Sequence, residues 1–427
     1  MTARERQVLI VITMAAFECA LIGVTYRLWL GTTEFPAVSL PGWTIDAASR
    51  QALSICLLGC CGATILTGIR QWRALRRAKT TASENNASTE GGPSFDGLST
   101  AVRVTVGGAA LFATLCAIAN QHCLQAWHWL FMIVMTFAAT LRPSKFFPSL
   151  MLVLAGVYLC SGLSRITLST QPNATEMIVQ AIMKFCLPAN IAGDLQWIHR
   201  LAIVAACGEI LAGVLLFSRR TQRMGLILAC VMHLCLILAL GPFGLKHHWG
   251  VILWNVCFLC LLPLVVVKPD MKQPVRFPIA DAWPGICVLT FSLSGLLSIS
   301  DNWPSWQLYS SRPETWELWL DSSTAEQLPV PLKKYVASGT LTGDWVVLKL
   351  DRWALDATGA PIYPEDRFLC AVIVEVLAQL KDPVFAVQID EPEVLWWKRR
   401  TRELTSQEAL DQERQRWLFP PSKPEHR

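Results

Sequence analysis

Residues 233–255 read HLCLILALGPFGLKHHWGVILWN. Two apolar segments are joined here through Gly241, Pro242 and Gly244 and a Lys246-His247-His248-Trp249 turn, and the ionisable groups gather at one end of the segments. Glycine and proline interrupt the apolar pattern and mark the turn. The stretch reads as two membrane helices with a buried polar cluster near one membrane face.

The rest of the chain supports a membrane class. Of 427 residues, 53% are hydrophobic and only 16% charged, too apolar for one soluble domain. A spanning helix needs about 20 apolar residues. Segments of that kind run at 8–28, 52–69, 101–120, 126–141, 146–166, 201–217, 224–243, 251–267 and 284–300. The expected fold is an all-α polytopic bundle of about nine transmembrane helices with a small C-terminal α/β domain. The first segment carries Glu18 and leads into Gly31-Thr32-Thr33-Glu34, so it reads as a span rather than a cleaved leader.

Loop charges orient the chain, because Lys and Arg concentrate in cytoplasmic loops. With the N-terminus inside, the inner segments hold 16 Lys and Arg and the outer ones 6. Nine spans then place 301–427 on the extracytoplasmic side of a cell or inner membrane. The net charge of +5 is accounted for by this asymmetry and needs no nucleic-acid partner.

The organisation follows in order. Residues 1–79 form an N-terminal transmembrane hairpin, and the Ser-, Asn- and Gly-rich residues 80–100 a cytoplasmic linker. Residues 101–300 form the main bundle and 301–427 an extracytoplasmic α/β domain. Within 167–199, Met177, Ile178, Ala181, Ile182, Phe185 and Cys186 recur at helical spacing, predicting a helix on the outer surface. In the last domain, 315–320, 345–351 and 384–389 read as strands, and 364–380 and 402–417 as helices. No phosphate-binding glycine loop or nucleophile elbow is present in it.

Polar groups inside spans carry the functional reading. At about 1.5 Å per residue, Glu209 and His233 each fall roughly 12 Å below the outer boundary on consecutive antiparallel spans. Tyr158 falls at a similar depth and Glu18 slightly deeper. Ionisable groups at such depth cost a few kcal/mol and normally face a partner in the bundle interior. The expectation is that Glu209 and His233 touch, directly or through one water, as a proton-transfer pair in an outward-facing cavity. The competing reading is a buried hydrogen bond that sets helix register. Trp254 and Asn255 would wall the cavity, Arg165 would hold an anionic group at its mouth, and His247 and His248 would sit above. A metal site needs three or four ligands at fixed spacing; adjacent His247 and His248 point apart on a helix, and no metal is assigned. The C-x-x-C at Cys257 and Cys260 lies within a span.

Tyr158, Gly162 and Arg165, followed by an amphipathic stretch, then Gly208-Glu209, Gly213 and a basic turn at Arg219-Arg220, resemble the four-helix unit of DoxX and MauE-like membrane proteins. The resemblance covers 146–267. It implies quinone-linked or thiol-linked redox chemistry, or maturation of redox enzymes, with a quinone as the cofactor. A thiol-linked member would pair Cys123 with Cys186 on the oxidising side. A more distant likeness is to the membrane domain of vitamin K-dependent carboxylases. There a lysine follows the Tyr and Gly where this chain has Arg165, a poor general base.

Three functions are therefore weighed. One is a redox-associated membrane protein binding a quinone-like or other apolar molecule. The second is a non-catalytic scaffold or maturation factor whose 301–427 domain recruits an extracytoplasmic partner. The third is a transporter, for which no inverted repeat or broken helix pair is evident.

Overall fold

The computed structural model describes residues 1–31, 34–40, 43, 45–84, 97–166, 174–186, 193–266, 279–307, 315–338, 344–392 and 399–415. Its helical part comprises α1 (Ala3–Val24), α2 (Tyr26–Leu30), α3 (Ala47–Glu84), α4 (Thr100–Ala119), α5 (Ala126–Thr140), α6 (Pro143–Arg165), α7 (Ala174–Cys186), α8 (Leu195–Phe217), α9 (Gln222–Leu240), α10 (Trp249–Val265) and α11 (Ile279–Ser294). Local signals start several of them. Thr2 and Glu5 form a reciprocal capping box on α1. Pro143 opens α6, where its missing N–H costs nothing. Asp194 accepts from Gln196 N and Trp197 N to cap α8, and His248 Nδ1 accepts from Gly250 N to cap α10.

Among the described residues, six helices are long and apolar enough to cross a membrane: α1, α3, α4, α6, α8 and α9. The segments in α5, α10 and α11 are helical but shorter. At 15 and 17 residues, α5 and α10 extend about 22 and 26 Å, less than a typical hydrocarbon core of about 30 Å. The 38 residues of α3 extend about 57 Å, so its basic second half runs well beyond any apolar layer.

Most of the bundle shares one core, with two smaller buried clusters where α7 meets α8, α9 and α10. Val8, Val11 and Ala15 of α1 belong to the same buried cluster as Phe131, Leu154 and Phe258. Helix α1 packs on α3, α5 and α10. Residues 1–79, read from the sequence as a hairpin set off by a linker, thus share buried contacts with helices of 101–300. A polar linker shows where the chain leaves a core, not which core its flanking helices join. Between lipid-embedded helices the hydrophobic effect gives no net drive, so close packing of small residues matters more. The α6–α8 contact is built that way. A Cβ on Gly162 would meet Ala206 O at 2.7 Å, and one on Gly213 would meet Ala155 O at 2.9 Å. Gly208, by contrast, faces open space.

Helix α7 packs against α8 and α9 through Ile178, Val179, Ala181 and Met183, leaving Met177 and Phe185 exposed. It is the amphipathic element read from the sequence, tied to α8 by His199 Nδ1 and Glu176 Oε1 at 2.8 Å.

The C-terminal domain is a five-stranded antiparallel sheet of order β2-β3-β1-β4-β5, made of β1 (Thr315–Asp321), β2 (Val336–Ser338), β3 (Trp345–Leu348), β4 (Phe385–Pro392) and β5 (Arg399–Leu404). Helices α12 (Ser322–Glu326), α13 (Val330–Lys333), α14 (Leu350–Thr358), α15 (Asp366–Leu377) and α16 (Gln407–Gln415) complete it. Leu318, Leu320, Val387 and Ile389 pack with Phe368, Val372 and Ile373 of α15. Full burial of each such side chain stabilises by roughly 1.5–3 kcal/mol.

Two boundaries differ from the sequence reading. The strand read at 345–351 ends at Leu348, and α14 begins at Leu350. Leu350, Trp353 and Ala354 are buried at helical spacing, a signal masked by the preceding Val-Val-Leu run. The helix read at 402–417 is instead β5 followed by α16. As an edge strand β5 keeps charges on both faces, which hides its period of two.

Candidate functional site

Tyr158 of α6, His233 of α9 and Asn255 of α10 form one hydrogen-bonded chain. Its direction can be worked out from its far end. Asn255 Nδ2 donates to Val251 O at 2.8 Å, which turns Asn255 Oδ1 toward His233. That oxygen only accepts, so His233 Nδ1 carries the proton and donates across 2.8 Å. With His233 neutral, Nε2 is left as an acceptor, and the Tyr158 hydroxyl donates to it across 2.7 Å. The tautomer thus follows from Asn255 rather than from any charge. Phe258 stacks on the His233 ring at 4.7 Å, and Trp254 meets Phe258 edge-on at 4.7 Å.

Glu209 and His233 do not make the direct contact expected from their equal depth. Both His233 nitrogens are taken by Tyr158 and Asn255, and Glu209 Oε1 accepts from Arg165 Nη1 across 2.5 Å. The reason is rotational. Depth places two residues at one level, but the direction of each side chain around its helix selects the partner. Arg165 is correspondingly buried in an ion pair rather than standing at a cavity mouth for an anion. A buried pair of this kind resists loss of one partner strongly, because the survivor is an uncompensated charge. The second carboxylate oxygen, Glu209 Oε2, is buried without a hydrogen-bond partner. The Ser161 hydroxyl is a second donor group facing the same carboxyl. Tyr158 and Arg165 stand about two turns apart on α6, so one helix carries a member of each network.

The other residues singled out in the sequence scatter. His248 is used as the α10 cap, and His247 sits on the surface of the connecting turn. Cys123 is buried at the end of α4, while the Cys186 side chain lies outside the described residues, as does any pairing between them. Cys257 is buried with Sγ 3.9 Å from Met14 Sδ, and Cys260 is exposed, so the C-x-x-C thiols face apart.

A second buried pair went unread in the sequence. Glu18 Oε1 of α1 lies 2.6 Å from His128 Nδ1 of α5, the two residues being 1% and 0% exposed. His128 Nε2 faces Ala113 O at 3.0 Å and must donate to it. The Nδ1 contact therefore needs a further proton, held on the imidazole or on the carboxyl. Either way the pair is net neutral, which suits its burial. The available signal was Glu18 itself, an acid deep in a span; its partner His128 lies in the first turn of α5.

The C-terminal domain is clamped to the bundle beside this pair. Arg367 donates to Gln121 Oε1 at 2.7 Å and binds Asp301 with both terminal nitrogens, one at 2.8 Å. Tyr363 donates to the same carboxylate at 2.5 Å. His122, fully buried between Phe35 and Phe368, donates from Nε2 to Pro361 O at 2.9 Å, leaving Nδ1 without a partner. Burial pushes its pKa down to about 4. Glu365 accepts from Asn302 N at 2.7 Å, and burial together with nearby Asp301 holds its carboxyl well above the usual range.

A cavity of about 400 Å³ opens at this junction, walled by the ends of α2, α3 and α4 and by Glu375 and Gln379 of the domain. None of Tyr158, Arg165, Glu209 or His233 lines it.

No family model matches the chain, and no curated protein or solved structure matches it either. The class supported by the fold is a membrane-associated helical protein with six apolar helices of spanning length and a small antiparallel sheet domain.

Proposed function

We propose that the protein is a redox-associated integral membrane protein that binds a quinone-like apolar molecule at the level of Glu209 and His233. One observation carries this reading: Glu209 Oε2 is buried beside a fixed ion pair and makes no hydrogen bond of its own among the described residues. An unsatisfied buried acceptor costs about 1–3 kcal/mol. A ligand hydroxyl, as in the reduced form of a quinone, would remove that cost. Tyr158, whose proton is committed to His233, offers its oxygen as a second acceptor at the same level. The apolar surroundings fit a ligand that arrives through the bilayer, and the resemblance of 146–267 to DoxX and MauE-like proteins points the same way. Loop charges support a cytoplasmic N-terminus and an extracytoplasmic 301–427.

The test is direct. Purified protein should carry a quinone absorbance that changes on borohydride reduction, or should bind a short-chain quinol saturably. Glu209→Gln should weaken that binding roughly tenfold, about 1.4 kcal/mol, while the folded yield persists. Absence of both absorbance and saturable binding in the wild type would remove the proposal.

The scaffold reading is favoured by a different observation, the Arg367–Gln121 and His122–Pro361 contacts that tie the domain to the bundle. Such a platform would present its outer face to an extracytoplasmic protein partner. Crosslinking from that face in intact cells, with no ligand bound at Glu209, would favour it.

A further inference from the structure

The cavity at the junction lies apart from the Glu209 cluster and has its own chemistry. Its floor is Trp29, fixed by Nε1 donating to Thr25 Oγ1 at 3.0 Å and by edge contact of its ring with His128 at 4.9 Å. Its wall on α3 carries Arg50, Gln51 and Ser54, all within about one turn. Arg50 Nη1 is held by Ile45 O at 2.6 Å, which sets the guanidinium in place without neutralising it. Two carboxylates stand at the rim, Glu34 before α3 and Glu375 on α15. Among the described residues none of these three charges forms an ion pair with another.

The charge pattern selects the ligand. A simple anion would be drawn to Arg50 but would face two carboxylates. A simple cation would be drawn to the rim but would face Arg50. A molecule carrying both charges a few ångströms apart satisfies both ends, with charge-assisted hydrogen bonds at each. The location adds a second constraint. The cavity lies at the domain end of α3 and α4, where apolar helices give way to polar loops and where lipid headgroups reside. A volume of about 400 Å³ is within the ordinary range for small-ligand sites.

We propose that this cavity binds an amine–phosphate zwitterion of the phosphoethanolamine type, with the phosphate on Arg50 and the ammonium between Glu34 and Glu375. Gln51, which keeps a second N–H after donating to Leu30 O, supplies a further donor to the phosphate, and Trp29 packs under the carbon chain that joins it to the rest of the ligand. Such a ligand, seated between bundle and domain, would brace the junction.

The test uses the full-length protein in nanodiscs of phosphatidylethanolamine, phosphatidylcholine or phosphatidylglycerol, and in detergent with soluble glycerophosphoethanolamine. Bound lipid is counted by native mass spectrometry, and soluble-ligand affinity is measured by calorimetry. Phosphatidylethanolamine should be retained preferentially, since choline lacks N–H donors and glycerol lacks the cation. Arg50→Gln and Glu375→Gln should each weaken retention roughly tenfold. If Arg50→Gln fails to fold, the rim variants Glu34→Gln and Glu375→Gln carry the test. Soluble ligand binding as tightly as lipid would support the same chemistry with a free metabolite as its source; binding of the lipid alone would assign the source to the bilayer. Equal retention of all three lipids together with no soluble binding, or wild-type binding by both Arg50→Gln and Glu375→Gln, would overturn the proposal.

Discussion

The Tyr158 hydroxyl donates to His233 Nε2 across 2.7 Å, joining helices 75 residues apart in sequence. Because Asn255 fixes the proton on Nδ1, Tyr158 is the only donor that Nε2 has among the described residues. Tyr158→Phe should therefore destabilise the fold by about 1–3 kcal/mol, the cost of an unpaired buried acceptor. Thermal melts in detergent would read this as a lowered midpoint; an unchanged midpoint would mean that the chain of bonds contributes little.

The Arg165–Glu209 pair should show strong coupling. Arg165→Met leaves a buried carboxylate unpaired and should cost roughly 3–5 kcal/mol, whereas Arg165→Met with Glu209→Leu should recover a large part of it. The double-mutant cycle is measured by unfolding or by folded yield. Additive losses would show that the two side chains do not act as a pair.

Acid should loosen the junction through His122. Its folded pKa is lowered from 6.5 to about 4, so its contribution is complete above the unfolded value and is lost as pH falls through that window. The full effect is on the order of 3 kcal/mol. Limited proteolysis of the domain should accelerate in the wild type between pH 7 and pH 4.5, and less in His122→Gln, which can still donate to Pro361 O.

Glu365 should act with the opposite sign. Its raised folded pKa gives a contribution that is full below the unfolded value near 4.5 and is lost as pH rises through the folded value. Glu365→Gln should consequently be more stable than the wild type near pH 8, and the advantage should vanish in acid. Melting midpoints across that range would reveal a crossing or its absence.

Topology is checked by reporter fusions after Lys79 and after Asp301. The expected result is cytoplasmic signal for the first and extracytoplasmic signal for the second. Matching signals would overturn the orientation drawn from loop charge.

What the sequence determined by itself is what depends on local composition and period. Apolar runs, turns at Gly241 and Pro242, the amphipathic spacing of α7 and the placing of Glu209, His233 and Glu18 within apolar helices were all readable, because each is set by residues close along the chain. The strand at Val384–Ile389 and the helix around Phe368 were readable for the same reason. Tertiary structure alone decided the partners. Glu209 turns to Arg165, His233 to Tyr158 and Asn255, and Glu18 to His128, since rotation about each helix axis and the close approach at Gly162 and Gly213 select which faces meet. The edge strand β5, the docking of Arg367 on Gln121 and the cavity beside Arg50 likewise arise from surfaces brought together from distant parts of the chain. No period within one segment records such a meeting.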